Sequence, residues 1–508
     1  MRLEAIISRF TKQKAAKGFP RSLVLVFLGA MMSLGQAPLG FWPLSFVGLF
    51  IWARLFALGH GPKQVAKDSW LIGFGYFFVL LHWIVWPFLV EPERDGWMAP
   101  FALVLLPSGL ALFWAITHGL ARRLAGHAPY LAWAIGLSLA ELGRGHLFTG
   151  FPWGGFSHVL LETPASGLYA VFGAEGLSIL MLLAIGLMAS MTQEKPMRLL
   201  VLAVPFVFLA LPYRPDEAVI PADAPTVRLV QPNAPQEEKW DPLLAEVFYQ
   251  RLLTYSAAPG TPDLILWPET AIPYVLEFSY HILAEIAEKA VAPVGFGINR
   301  IEGERFYNAF AFIDTAGQVE HIYDKQHLVP FGEYVPFGEV FAQLGIYGLA
   351  ASQGGGYSAG RTADPFDLGA IGRAKVLICY EGIFPWEVIN GERPDVLILA
   401  TNDAWFGTWA GPAQHMAQAR IRAIETGLPM LRVANTGITA LIGTNGEILA
   451  DLPFGQQGML DVKLPAPEPL TVFVKFKGWP AILLLAIVTF WIISPLGRIP
   501  IDRKPRRA

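Results

Sequence analysis

Val376-Leu377-Ile378-Cys379-Tyr380-Glu381 is the stretch on which the reading of this chain turns. A short apolar run, β-branched at its first and third positions, reads as a buried strand over Val376–Cys379. The residue that ends it is the only cysteine among 508 residues. A lone thiol cannot close an intramolecular disulfide, so packing or chemistry remains. A cysteine at a strand end, followed by a tyrosine and a carboxylate, is where a nucleophile can be held rigidly at the rim of a sheet.

Around this stretch, from Thr226 onward, short β-branched runs alternate with longer amphipathic ones. Strands are expected at Val227–Val230, Leu264–Trp267, Val294–Gly297, Ala309–Ile313, Val376–Cys379, Val396–Ala400, Met430–Ala434 and Thr439–Ile442. Helices are expected at Leu243–Ser256, Phe278–Val291 and Pro412–Gly427. Strands alternating with helices indicate an α/β layered domain. Pro465-Ala-Pro-Glu-Pro469 reads as a linker into a final apolar segment.

Outside this domain the composition changes. The whole chain is 54% hydrophobic and 16% charged, against about 25% charged for soluble domains. The apolar excess lies in roughly the first 210 residues and again near the C-terminus, where runs approach the ~20 residues a bilayer crossing needs. Spans are expected at Leu23–Gly40, Phe41–Leu58, Trp70–Val90, Met98–Ala121, Tyr130–Leu147, Leu168–Met191, Leu199–Leu211 and Trp479–Leu496, about eight in all. The chain thus divides into a transmembrane bundle over 1–212, a globular domain over 220–468, and a last helix with a basic tail over 475–508. With eight spans, the basic residues Arg2, Arg9, Lys12, Lys14, Lys17 and Arg21, then Arg54, Lys63 and Lys67, Arg122 and Arg123, Lys195 and Arg198, and the tail from Arg498 to Arg507 all fall on one side. By the positive-inside rule that side is the cytoplasm, which places both termini inside and the globular domain outside. The apolar run at Leu23 reads as an uncleaved signal anchor. A net charge of −3 offers no footprint for nucleic acid.

Glu141 and Arg144 fall within the fifth expected span, spaced as a mutual ion pair on one helix face, with contact to a lipid head group as the alternative. Thr149-Gly-Phe-Pro-Trp-Gly-Gly155 follows as an interfacial aromatic loop.

Three strand-end sites stand out in the globular domain. Leu264-Ile-Leu-Trp-Pro-Glu-Thr270 is a buried strand stopped by Pro268 that delivers Glu269 at its tip. Tyr323-Asp-Lys-Gln-His-Leu-Val-Pro-Phe-Gly-Glu-Tyr-Val-Pro-Phe337 places Lys325 and Glu333 about an apolar, proline-rich segment. Cys379 is the third. Alone, each has an ordinary reading: a loop acid, a surface lysine, a small buried hydrophobe. Together they make an acyl-transfer set. A thiol needs a base to take its proton, and a lysine can neutralise the oxyanion of a tetrahedral intermediate.

Trp-Pro-Glu-Thr270, the Lys325-to-Pro336 segment and Cys379-Tyr-Glu resemble the signatures of the nitrilase superfamily, whose fold is a four-layer αββα sandwich. Asn402-Asp-Ala-Trp-Phe-Gly407, the Gln414-His-x-x-x-Ala-x-x-Arg-Ala423 helix and Gln231-Pro-Asn-x-Pro-Gln-x-x-Lys-Trp240 fit the same pattern. Such a domain inserted before the last of eight spans is similar, over essentially the whole chain, to the apolipoprotein N-acyltransferase family. The resemblance implies Glu269 as general base, Lys325 as oxyanion stabiliser, Cys379 as nucleophile and Glu333 as a supporting glutamate. Tyr380 and Glu381 would orient the acyl carbonyl through their backbone N–H groups or side chains, and Trp240 and Trp405 would contact substrate. It implies a ping-pong transfer of an acyl chain from the sn-1 position of a phospholipid, mainly phosphatidylethanolamine, through a Cys379 thioester. The acceptor would be the α-amine of a diacylglyceryl-modified apolipoprotein at a bacterial inner membrane.

Phe341–Ala351, with Gly345, Gly348 and Gly354-Gly-Gly356 near it, reads as an apolar lid on glycine hinges. Ten scattered histidines without HxxxH or CxxC spacing imply no metal and no cofactor. Two rivals remain. A membrane-tethered amidase or nitrilase acting on a small substrate would need the same Glu, Lys and Cys. A transporter would need several charged or broken helices lining a path, and Glu141 and Arg144 are the clear case of ionisable residues within a span.

Overall fold

The computed structural model describes residues 20–59, 61–191, 218–336, 356–361 and 364–494. Contacts divide the chain into two units, one of Met1–His82, Pro100–Tyr213 and Gly478–Ala508, the other of Trp83–Ala99 and Arg214–Lys477.

The first unit is helical: α1 (Arg21–Ser33), α2 (Trp42–Leu58), α3 (Pro62–Leu80), α4 (Ala99–Ala125), α5 (Pro129–His146) and α6 (Tyr169–Met191). Among the described residues two stretches can cross a membrane by length and composition, Pro92–Ala125 and Ser166–Met191. A third is possible if Pro62–Leu80 and His82–Leu89, bent by 50°, count as one broken span. Shorter apolar helices occupy Arg21–Ser33, Trp42–Leu58 and Trp479–Ile493. The expected seventh span, the expected lid over Phe341–Ala351, the basic N-terminal arm and the basic tail lie outside the described residues.

Two expected spans differ in extent. The first stops at Ser33 rather than Gly40, because a turn through Gly35, Pro38 and Gly40 follows. The third is interrupted after Leu80, and Pro87 lies in the short 3-10 segment beyond it, where it can donate no backbone hydrogen bond. Glu141 and Arg144 do pair. Arg144 Nη2 and Glu141 Oε2 stand 2.5 Å apart, and Arg144 Nη1 donates to the carbonyls of Phe151 and Trp153 at 2.6 and 2.9 Å. Arg144 is 2% exposed. It ties down the aromatic loop rather than meeting a head group.

Among its described residues the second unit holds two six-stranded mixed sheets and three longer helices. Its strands are β1 (Thr226–Gln231), β2 (Leu264–Leu266), β3 (Val294–Glu302), β4 (Arg305–Ile313), β5 (Val319–Asp324), β6 (Phe366–Asp367), β7 (Arg373–Ile378), β8 (Val396–Thr401), β9 (Met430–Ala434), β10 (Thr439–Ile442), β11 (Ile448–Leu452) and β12 (Gly458–Lys463). The sheet orders are β12-β1-β2-β3-β4-β5 and β11-β10-β9-β8-β7-β6. The helices are α7 (Leu244–Ser256), α8 (Tyr280–Lys289) and α9 (Ala410–Thr426). The C-terminal α10 (Trp479–Ile493) returns to the first unit.

Strand periodicity explains the layers. Val227, Leu229, Leu264 and Leu266 of one sheet share a core with Val376, Ile378, Ile398 and Ala400 of the other. Their alternate neighbours Val230, Ile265 and Trp267 pack outward under α7 and α8. On the far side Leu377, Leu397 and Leu399 pack with Met416, Ala419 and Ala423 of α9. Successive strand residues point to opposite faces, so strands apolar on both faces generate helix, sheet, sheet, helix. This is the αββα sandwich of the nitrilase-like fold.

Candidate active site

Glu269 follows β2 after Trp267 and Pro268. Trp267 Nε1 donates to Ser256 Oγ over 2.9 Å, so this large buried ring satisfies its polar atom while locking the strand end. Thr270, next to Glu269, has φ +42°, left-handed for a β-branched residue. The turn packs so closely on β3 that a Cβ at Gly297 would lie 2.3 Å from Thr270 N. Lys239 holds the turn from the other side, its Nζ 3.2 Å from Glu269 O and 2.9 Å from Thr270 Oγ1.

Lys325 directly follows β5. Its N–H donates to Asn308 O at 2.9 Å, continuing the ladder with β4, and its carbonyl accepts from Gly360 N at 2.8 Å. The side chain is 1% exposed. Nζ donates to Glu333 Oε1 over 2.9 Å and stands 3.7 Å from Glu269 Oε1. Asn308 Nδ2 bridges the two acids, 2.8 Å from Glu269 Oε1 and 3.1 Å from Glu333 Oε1. The other oxygen of Glu333 accepts from Val329 N at 2.8 Å.

Cys379 is the first residue beyond β7, in a 3-10 turn, buried and with φ +49°. Strain in a left-handed cysteine persists only where surroundings hold it. Glu381 supplies one restraint. Its Oε2 accepts from Ile378 N at 2.7 Å, and its Oε1 from Tyr323 Oη at 2.8 Å, Gln326 N at 2.7 Å and His327 N at 3.2 Å. This carboxylate therefore ties the cysteine turn to the segment carrying Lys325. These four bonds engage both carboxylate oxygens in holding the frame of the site.

Burial pushes the Cys379 thiol up from its ordinary range, and the Glu269 carboxylate pushes it further, against the opposing pull of Lys325 and a hydrogen bond with Thr401. Burial would lower Lys325, but Glu333 and then Glu269 outweigh it and hold the ammonium above its ordinary range. The resting site contains a protonated thiol beside a carboxylate and a fixed cation. That arrangement suits proton removal in concert with attack.

Residues 226–468 match the carbon-nitrogen hydrolase family, and residues 28–187 match the apolipoprotein N-acyltransferase N-terminal domain. An apolipoprotein N-acyltransferase of Rhodopseudomonas palustris is 35% identical, with 94% of this chain and 96% of that one covered. Another from Brucella melitensis is 36% identical, covering 96% of this chain and 97% of its own. The chain belongs to the apolipoprotein N-acyltransferase family. Among solved structures, an amidase mutant from Nesterenkonia sp. AN1, bearing a covalent adduct at its active-site cysteine, matches 49% of this chain and 94% of its own at 18% identity and a TM-score of 0.36.

The remaining expected residues of this N-acyltransferase family member are less central. Tyr380 is buried edge-on against Phe384 and His327, with ring centroids 4.9 and 5.3 Å apart. Trp240 is 46% exposed, with Lys239 Nζ 5.0 Å from its ring centroid. Trp405 is half-buried in the turn after β8. Neither indole belongs to the hydrogen-bonded Glu269–Asn308–Lys325–Glu333 group among the described residues. Asn308 and Lys239 were not expected in the site. The signal for Asn308 was a lone amide inside an otherwise apolar strand, since a buried polar group needs partners. Lys239 carried no distinguishing sign beyond its place in the Gln231-to-Trp240 segment.

Proposed function

We propose that this protein N-acylates apolipoproteins by carrying a fatty acyl group on Cys379. The observation that supports the reading is the pairing of two features in one chain. A buried Glu269, Lys325 and Cys379 stand at sheet ends within mutual electrostatic reach, and apolar helices match the N-terminal domain of the N-acyltransferases. A hydrolase of small amides needs the first but not the second.

In this reading residues 1–212 and 475–508 form the membrane part, with about eight spans and both termini cytoplasmic, and 220–468 form the catalytic domain on the periplasmic face of a bacterial inner membrane. Cys379 Sγ attacks the sn-1 ester carbonyl of a phospholipid such as phosphatidylethanolamine while Glu269 takes the thiol proton. Lys325 faces the oxyanion that forms. The ester C–O bond breaks, and Glu269 returns the proton to the departing lysophospholipid. The α-amine of a diacylglyceryl-cysteine then attacks the thioester and gives a proton to Glu269. The C–S bond breaks, and the thiol is restored by that proton. Glu333 and Asn308 fix Lys325 and Glu269 throughout. Glu381 and Tyr380 fix the cysteine turn, and Trp240 and Trp405 border the substrate. An α-amine with a pKa near 8 is partly neutral at physiological pH and so can serve as the second nucleophile.

The test is intact-mass analysis of the purified full-length protein after incubation with phosphatidylethanolamine. An acyl adduct on Cys379, discharged by a diacylated lipopeptide to a triacylated product, is the expected result. Hydrolysis of small amides with no adduct would favour the hydrolase reading instead.

A further inference from the structure

The nucleophile turn has a second restraint, on the side away from Glu381. Asp403, His415 and Arg432 form a polar cluster with exposures of 0, 1 and 0%. They come from three elements: the turn after β8, helix α9 and strand β9. Arg432 Nη2 donates to both oxygens of Asp403, at 3.0 and 2.7 Å, and Arg432 Nη1 donates to Ile438 O. Thr401 Oγ1 donates to Asp403 Oδ1 over 3.2 Å. His415 Nδ1 stands 2.9 Å from Asp403 Oδ1 and 3.1 Å from Arg432 Nη2. Its other ring nitrogen, Nε2, lies 3.3 Å from the main-chain oxygen of Cys379. Phe406 packs edge-on against the imidazole, centroids 5.5 Å apart, and sets its plane.

A carbonyl oxygen only accepts, so Nε2 carries a proton whatever the state of Nδ1. The two clamps are complementary. Glu381 holds the N–H of Ile378, before the nucleophile. His415 holds the carbonyl of Cys379, after it. Between them lies the residue with φ +49°, whose backbone would otherwise relax toward the right-handed region. Such a relaxation swings the Cα–Cβ bond and moves Sγ away from Glu269 and Lys325.

We propose that His415 is a positioning residue: its Nε2–H, oriented by Asp403 and Arg432, pins the Cys379 peptide and so aims the thiol. The inference rests on Cys379 being the nucleophile.

The test compares H415Q with H415N in the full-length protein. The glutamine amide reaches the place of Nε2 and keeps a donor for Cys379 O. The asparagine amide reaches only the place of Nδ1. Acyl-enzyme formation is followed by intact mass at varied phosphatidylethanolamine in mixed micelles. H415Q is expected to stay within about fivefold of the unmodified protein, and H415N to lose about 100-fold in acylation rate at an unchanged half-saturating donor concentration. H415N acylating as fast as H415Q, or a loss confined to the half-saturating concentration, would overturn the proposal. A second measurement needs no variant. The chain has one cysteine, so labelling with 1-¹³C-cysteine isolates a single carbonyl band in the infrared. A band at the frequency of a free amide carbonyl would also overturn it. Failure of the unmodified protein to form any acyl-enzyme would instead overturn the nucleophile reading, which identifies that cause separately.

Discussion

Lys325 and Glu333 form an ion pair sealed from water: Nζ donates to Oε1 over 2.9 Å, with the side chains 1% and 8% exposed. Such a pair is costly to break, because either charge left alone is buried without compensation. Its rigidity also serves chemistry. In the proposed mechanism a lysine locked to one carboxylate, with a second at 3.7 Å, keeps its charge fixed where the oxyanion would develop and costs no reorganisation at that moment.

Lys325→Met is therefore expected to remove activity and to destabilise the catalytic domain by about 3–5 kcal/mol, since Glu333 and Glu269 lose their counter-charge. Lys325→Arg keeps the charge but not its shape, and acyl-enzyme formation should fall about 100-fold or more. Thermal unfolding in detergent and acylation kinetics report the two effects. An arginine variant active within a few-fold would contradict the role.

Cys379→Ser should abolish acyl transfer, by at least about a thousandfold, with the unfolding temperature little changed. Serine is nearly isosteric and the fold does not depend on the thiol. Turnover near that of the unmodified protein would exclude Cys379 as nucleophile.

The thiol is pushed upward by burial and then by Glu269. Alkylation by iodoacetamide should accordingly show no titration step near ~8.5, where an ordinary cysteine ionises. Glu269→Gln removes the negative charge, so the thiol should ionise at lower pH than before while acylation by phospholipid is lost. These opposite movements separate a general base from a merely acidic neighbour. Alkylation and acylation falling together would contradict the assignment.

Asn308→Asp replaces the shared donor of two carboxylates with a third negative group. A loss of about 100-fold in acylation is expected, because Glu269 loses its positioning hydrogen bond and gains a repulsive neighbour. Asn308→Ala should lose less. The ratio of the two acylation rates is the measurement, and equal effects would assign Asn308 to packing alone.

Asp403 is fully buried. Burial alone would raise its carboxyl, but Arg432 and His415 outweigh burial and hold it down near a pKa of about 2. Its folded value lies below the unfolded one, so its stabilisation is complete above roughly pH 4 and is lost as pH falls toward 2; the linkage amounts to roughly 2 kcal/mol. Asp403→Asn should abolish this acid-side dependence and, by stranding Arg432, lower stability at neutral pH by about 3–5 kcal/mol. Unfolding temperatures of both proteins between about pH 2 and 7 test it.

The parts of the site legible in the sequence share one property: they end runs. Glu269 follows an apolar strand stopped by Pro268, Cys379 follows β7, and each run end is visible without knowing its neighbours. The strand β5 that delivers Lys325 was not foreseen, because Val319–Asp324 is mostly exposed and mixes polar with apolar residues. The edge strands β6, β11 and β12 escaped for the same reason, since only one face of an edge strand needs to be apolar. Asn308, His415 and Arg432 sit within runs, and nothing local separates a structural amide or imidazole from one that contacts a nucleophile.

By itself the sequence determined the two-part composition, the inner strands and the three longer helices of the catalytic unit, and the candidate acid, lysine and thiol. These are short-range properties, set by period, by breakers and by residue type. Only the tertiary structure decided that Asn308 joins two acids, that the Glu381 carboxylate ties the cysteine turn to the Lys325 segment, and that His415 stands behind Cys379. Those relationships join residues 25 to 58 positions apart, across strands whose order in the sheets differs from their order in the chain. Sequence separation says nothing about which side chains share a buried volume.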